Sequence, residues 1–166
     1  MQFRISPLSA ASATLSPVEV RESDVDGIPA ANIRVPRREF VAVWRTASTR
    51  AEEQGAQGAT DWYAVAVAVT CRWLATAPMR PRTGPHRLTR SPATKRARVA
   101  YEELIEAEYL AAETLEQRRP DIVEHEPGWC DGVRATLRWA WRCSGPRPVE
   151  VPGPAINVDA SSAAHG

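Results

Sequence analysis

Lysine, histidine and cysteine are scarce in this chain. Of its 166 residues Lys95 is the single lysine, against 20 arginines, and histidine and cysteine number three each. Cys71, Cys130 and Cys143 form no C-x-x-C and no paired spacing. That argues against a disulfide framework or a zinc knuckle and fits a reducing compartment, so a cytoplasmic setting is expected. His86, His125 and His165 are dispersed along the chain. Asp121 and His125, four apart, would supply two metal ligands, but no E-x-x-H pair or second histidine completes a site, and no metal or other cofactor is expected.

Long hydrophobic runs are also missing. The most apolar stretch, Trp62–Met79, is interrupted by Arg72 and rich in alanine. It barely reaches the ~18 residues that a membrane-spanning helix needs, so it reads as a buried core helix. Met1–Pro17 lacks both a basic segment and a continuous apolar segment, which argues against a secretory signal. No G-x-S-x-G, phosphate-cradling glycine loop or G-x-G-x-x-G occurs, and none of the standard DNA- or RNA-binding signatures does either.

Leu, Ile, Val and Phe total only 31 residues. A share that low is typical of disordered chains when net charge is high, yet the net charge here is +1. Six tryptophans, at 44, 62, 73, 129, 139 and 141, restore much of the apolar area, and 27 alanines suit closely packed helices. The expectation is therefore a mainly α fold: a compact bundle of about four helices with a small extended or β-like N-terminal element and a disordered C-terminal tail. The corresponding divisions are 1–36 for the N-terminal arm, 37–145 for the helical domain and 146–166 for the tail.

Within this frame, Phe3/Ile5, Val18/Val20 and Ile33/Val35 place apolar residues two apart, as half-buried strands do. Asp24–Gly27 between the last two is a turn signal; as a calcium loop it fails at its twelfth position, Val35. A first long helix is expected from Pro36 to about Gln54, with Phe40, Trp44, Ala47 and Ala51 inward. Thr60 caps a second, whose inner face is Trp62, Val65, Val69 and Trp73. A third runs from about Lys95 to Arg119 with Tyr101, Leu104, Ile105, Ala111, Ala112 and Leu115 in its stripe, and a last one runs to about Cys143 with Trp129, Val133, Leu137, Ala140 and Trp141 inward. Pro146 onward, with four prolines and an Ala/Ser-rich end, reads as a disordered tail.

Charge is distributed unevenly. Pro78–Arg98 contains Arg80, Arg82, Arg87, Arg90, Lys95, Arg96, Arg98 and His86 and no carboxylate, with four prolines and Gly84 keeping it out of regular structure. Glu102–Glu126 then carries nine acids against two arginines. Such an arm attracts polyanions or an acidic protein surface through long-range fields. A plain alternative is a solvated loop that neutralises the neighbouring glutamates. Arg134, Arg138 and Arg142 recur every four residues and share one side of the last helix. Trp139 beside that ridge is a candidate stacking or anchoring aromatic. Glu108 falls inside the third helix's apolar stripe, where a carboxylate has to be paired; Arg72, the only charge in the central helix, is the obvious partner.

Asp61–Tyr63, Cys71–Ala77, Tyr101–Glu108, Pro127–Trp129 and Ala135–Arg142 together resemble segments of small uncharacterised proteins of high-GC Gram-positive bacteria. The likeness covers roughly residues 60–148. It implies a bacterial cytoplasmic setting and carries no functional residue.

The functional expectation is a non-enzymatic accessory or regulatory protein. It would dock an acidic protein partner through Arg80, Arg82, Arg87, Arg90, Lys95, Arg96 and Arg98, with Arg134, Arg138, Arg142 and Trp139. The alternative is a nucleic-acid-binding accessory protein that places the same arginines on phosphates. An enzyme built around Glu108 is a weaker third reading.

Overall fold

A computed structural model describes residues 19–81 and 83–153. Seven helices occur among them: α1 (Glu22–Asp26), α2 (Arg37–Ala56), α3 (Trp62–Leu74), α4 (Glu102–Glu113), α5 (Leu115–Arg118), α6 (Pro120–His125) and α7 (Trp129–Ala140), with a 3₁₀ turn at Ala30–Asn32. The bundle of about four main helices is α2, α3, α4 and α7. No described helix is long and apolar enough to cross a membrane.

α3 is the centre of the bundle because it is apolar almost all round. Trp73 is buried as expected, and Ala64, Val67, Cys71 and Leu74 are fully covered, while Trp62, Val65 and Val69 are only partly so. The buried face is thus rotated from the one that tryptophan spacing marks. Small residues explain the rotation, because they let neighbouring helices come close. A Cβ at Gly132 of α7 would lie 2.7 Å from the Tyr63 carbonyl oxygen and 2.8 Å from Ala66 Cβ. Gly128, just before α7, adopts φ +96 against Tyr63, a conformation that glycine adopts without strain. On the other side α2 contributes Phe40, Val43, Trp44 and Ala47.

Helix ends depart from expectation in instructive ways. The cap of α3 is Asp61 rather than Thr60: its carboxylate accepts the Ala64 N–H at 3.0 Å. α4 starts at Glu102 instead of near Lys95, because Lys95 sits at φ 60 and stops any helix there. The acidic helix also breaks at Thr114 into α4 and α5.

The N-terminal β-like element is corrected. Its Phe3/Ile5 and Val18 positions lie outside the described residues, and the rest folds as α1 and the 3₁₀ turn, with no strand. The Asp24–Gly27 turn signal is instead helix: Asp24 accepts the Arg21 N–H at 3.1 Å and starts α1. Asn32 ties this segment down by donating to the Leu74 and Ala100 carbonyls. At the other end, the first part of the supposed tail packs on the bundle. Val149 is buried, Tyr63 donates to the Pro148 carbonyl at 2.8 Å, and Arg147 pairs with Glu39. Residues 154–166 lie outside the described residues.

Candidate functional site

The cationic arm between α3 and α4 is irregular in secondary structure yet fastened at every few residues. Met79 and Arg87 exchange two backbone hydrogen bonds, of 2.8 and 3.0 Å, closing a loop that turns at Gly84, φ +100. Thr89 donates to the Ala77 carbonyl and Trp73 Nε1 to the Arg98 carbonyl. Between these anchors Ser91–Arg96 closes on itself: Ser91 N–H donates to Arg96 O, Lys95 N–H to Ser91 O, and Arg96 N–H to Ser91 Oγ.

Glu108 holds that turn. Its carboxylate accepts the N–H groups of Ala93 and Thr94 at 2.8 and 3.0 Å and the Thr94 hydroxyl, and it is fully buried. The expected Glu108–Arg72 pair is therefore corrected. A carboxylate so committed is a clamp on the arm, and three donors offset the cost of burying it.

Arg72, equally buried, serves the N-terminal segment instead. It lies 3.9 Å from Asp24, donates to the Pro78 and Glu19 carbonyls, and its guanidinium stands 5.2 Å from the Trp44 ring centre. Burial lowers its pKa to about 10, against the opposing pull of Asp24. Arg80, the first arginine of the arm, forms a two-pronged pair with the same Asp24. Burial would raise the Asp24 carboxyl. The Arg80 hydrogen bonds, the Arg21 N–H and the charges of Arg80 and Arg72 outweigh it and hold the group below its ordinary range.

Among the expected site residues, three groups separate. Arg80 is spent on Asp24, and Lys95 lies with its amine 3.8 Å over the Trp129 ring. Arg134, Arg138 and Arg142 form a ladder on the acidic helices: Arg134 with Glu116 and Asp131, Arg138 bidentate to Glu113, Arg142 with Glu106 and over Tyr109. The Arg138 hydrogen bonds hold the Glu113 carboxyl below its usual value. Trp141 Nε1 donates to Glu106 as well, at 2.8 Å. Trp139 is turned inward and stacks on Phe40 with a 5° angle between rings, so it is no exposed platform.

The third group is Arg87, Arg90, Arg96 and Arg98. All four are exposed, and none forms an ion pair among the described residues; Arg90 donates only to the Lys95 carbonyl. Arg82 lies outside the described residues. Glu106, Glu113 and Glu116 are paired from α7, not from the arm. Sequence reasoning also missed exposed apolar residues adjoining these arginines in the chain: Leu88 is 54% exposed, Val99 49% and Tyr101 46%. Tyr101, expected in the inner stripe, precedes α4 and is exposed instead.

His125 Nδ1 donates to the Asp121 carbonyl at 2.8 Å and Asp121 pairs with Arg119, so the suspected ligand pair is engaged locally. No group of three or more potential metal ligands occurs among the described residues. No family model matches the chain, and comparison with curated proteins and with solved structures gave no match.

Proposed function

We infer that this chain is an interaction protein that docks an acidic protein surface through Arg87, Arg90, Arg96 and Arg98. One observation carries the reading: these four guanidinium groups are exposed without internal carboxylates, on an arm that is otherwise bound down. Arg138 and Arg142 of α7 are exposed as well but pair with Glu113 and Glu106. An arm ordered in advance loses little entropy when it binds, and unsatisfied planar forks suit carboxylates. Leu88, Val99 and Tyr101, exposed in the same stretch, supply the apolar and aromatic component typical of protein interfaces.

A phosphate backbone needs no such apolar contacts, which favours a protein over nucleic acid. The two readings separate in titrations with random duplex DNA at two salt concentrations, run beside capture from nuclease-treated lysate. Protein docking predicts weak DNA binding and a captured protein that survives nuclease. Tight DNA binding with log affinity falling steeply and linearly in log salt would select the nucleic-acid reading instead.

A further inference from the structure

The arm holds one side chain whose chemistry differs from all its neighbours. Lys95 is the only lysine in the chain, and an arginine in its place would carry the same charge but no displaceable proton. Its backbone is in the left-handed region, φ 60, which an unbranched non-glycine residue adopts at a cost. The Glu108 clamp and the Ser91–Arg96 closure impose that conformation. The result is an amine laid on the Trp129 face, 3.8 Å from the ring centre, half-buried and with no carboxylate within ion-pair distance among the described residues. Half-burial without an ion-pair partner weakens the hold of this amine on its proton.

We propose that Lys95 is a site of Nε-acylation by small activated acyl donors, acyl phosphates or acyl thioesters. The neutral Nζ lone pair adds to the donor's carbonyl carbon, and an N–C amide bond forms. The bond to phosphate or thiolate breaks, that group leaves with its electron pair, and the excess proton on nitrogen passes to solvent. No oxidant or reductant is required. The product is a neutral amide over the indole, with one positive charge removed from the arm.

Burial shifts the balance toward the free amine. Burial, the largest influence, pushes the Lys95 amine below its ordinary value, and Arg119 acts in the same direction. Glu126, Glu108 and Cys130 pull the other way without restoring it. The indole face attracts the ammonium and opposes reaction, which makes the rate itself the deciding quantity.

The test uses the full chain with acetyl phosphate and, in a parallel arm, acetyl coenzyme A. Acetylation of Lys95 is followed by peptide mass mapping in the folded protein and in the urea-unfolded protein at the same pH, with Lys95→Arg as the mapping control. The proposal predicts that Lys95 reacts several-fold faster in the folded protein and that its pH profile levels off at a lower pH than in the unfolded chain. Reaction in only one arm identifies the donor class. Equal or slower reaction of the folded protein with both donors would show that the Trp129 face and burial shield the amine, and would overturn the proposal.

Discussion

Asp24 and Arg80, 56 positions apart in the chain, form a two-pronged ion pair that ties α1 to the start of the cationic arm. Arg72 completes the cluster from the C-terminal half of α3. Asp24 and Arg72 are buried and Arg80 nearly so, and therefore the pair does more than decorate a surface. Replacing only the acid leaves two guanidinium groups facing each other without their shared counter-charge.

Asp24→Asn is therefore expected to cost roughly 3–5 kcal/mol in chemical denaturation, the range for breaking one partner of a buried pair. The sign of its pH dependence follows from the depressed carboxyl. Asp24 contributes stability at pH above its unfolded value, ~3.9. That contribution is lost as pH falls through the lower folded value. The variant should lose less stability than the parent across this acid range. An unchanged acid limb would remove Asp24 from the account.

Gly132→Ala addresses how closely α7 lies on α3. The added methyl would meet the Tyr63 carbonyl oxygen, which is backbone and cannot rotate away. A loss of about 1–3 kcal/mol is expected, as for overpacking in well-filled cores. A neutral effect would mean that the two helices separate readily.

The chain beyond α7 gives a paired truncation. Ending after Pro148 removes Val149, which is buried, and Val151, which packs on the core. Ending after Gly153 keeps both. Burial of one valine is worth roughly 1.5–3 kcal/mol, so the shorter chain should melt several degrees below the longer one. Equal melting temperatures would show that the two valines add nothing.

Much of this fold was legible in the sequence, for a physical reason. α2, α3 and α7 carry apolar residues at helical spacing, and that periodicity survives whatever the helices pack against. The ladder arginines were likewise visible as a ridge at 134, 138 and 142. Their partners were not, because the order Glu116, Glu113, Glu106 faces them only once α4, α5 and α7 pack side by side. Trp139 was misread for the same reason: Phe40 of α2 closes over a face that looks marginal on α7 alone. Glu108 and Arg72 were each recognised as needing a partner, and each found one contributed by a loop or a short helix rather than by the other. Propensity alone extends α4 too far toward Lys95, because the left-handed turn there arises from hydrogen bonds that Ala93 and Thr94 make to Glu108, fifteen and fourteen positions later.

The central claim is that Arg87, Arg90, Arg96 and Arg98 serve a partner rather than the fold. The direct measurement replaces all four by Gln and follows two quantities, the melting temperature and capture of the partner retained by the parent protein from nuclease-treated lysate. Exposed surface changes usually shift stability by no more than ~0.5 kcal/mol each. The account predicts a melting temperature close to the parent's, with capture abolished and its salt dependence gone. Replacing Arg138 and Arg142 by Gln is the contrast: it breaks ion pairs with Glu113 and Glu106 worth ~0.2–1 kcal/mol each and should leave capture in place. A quadruple variant that captures the partner as well as the parent does, with the same salt dependence, would contradict the account.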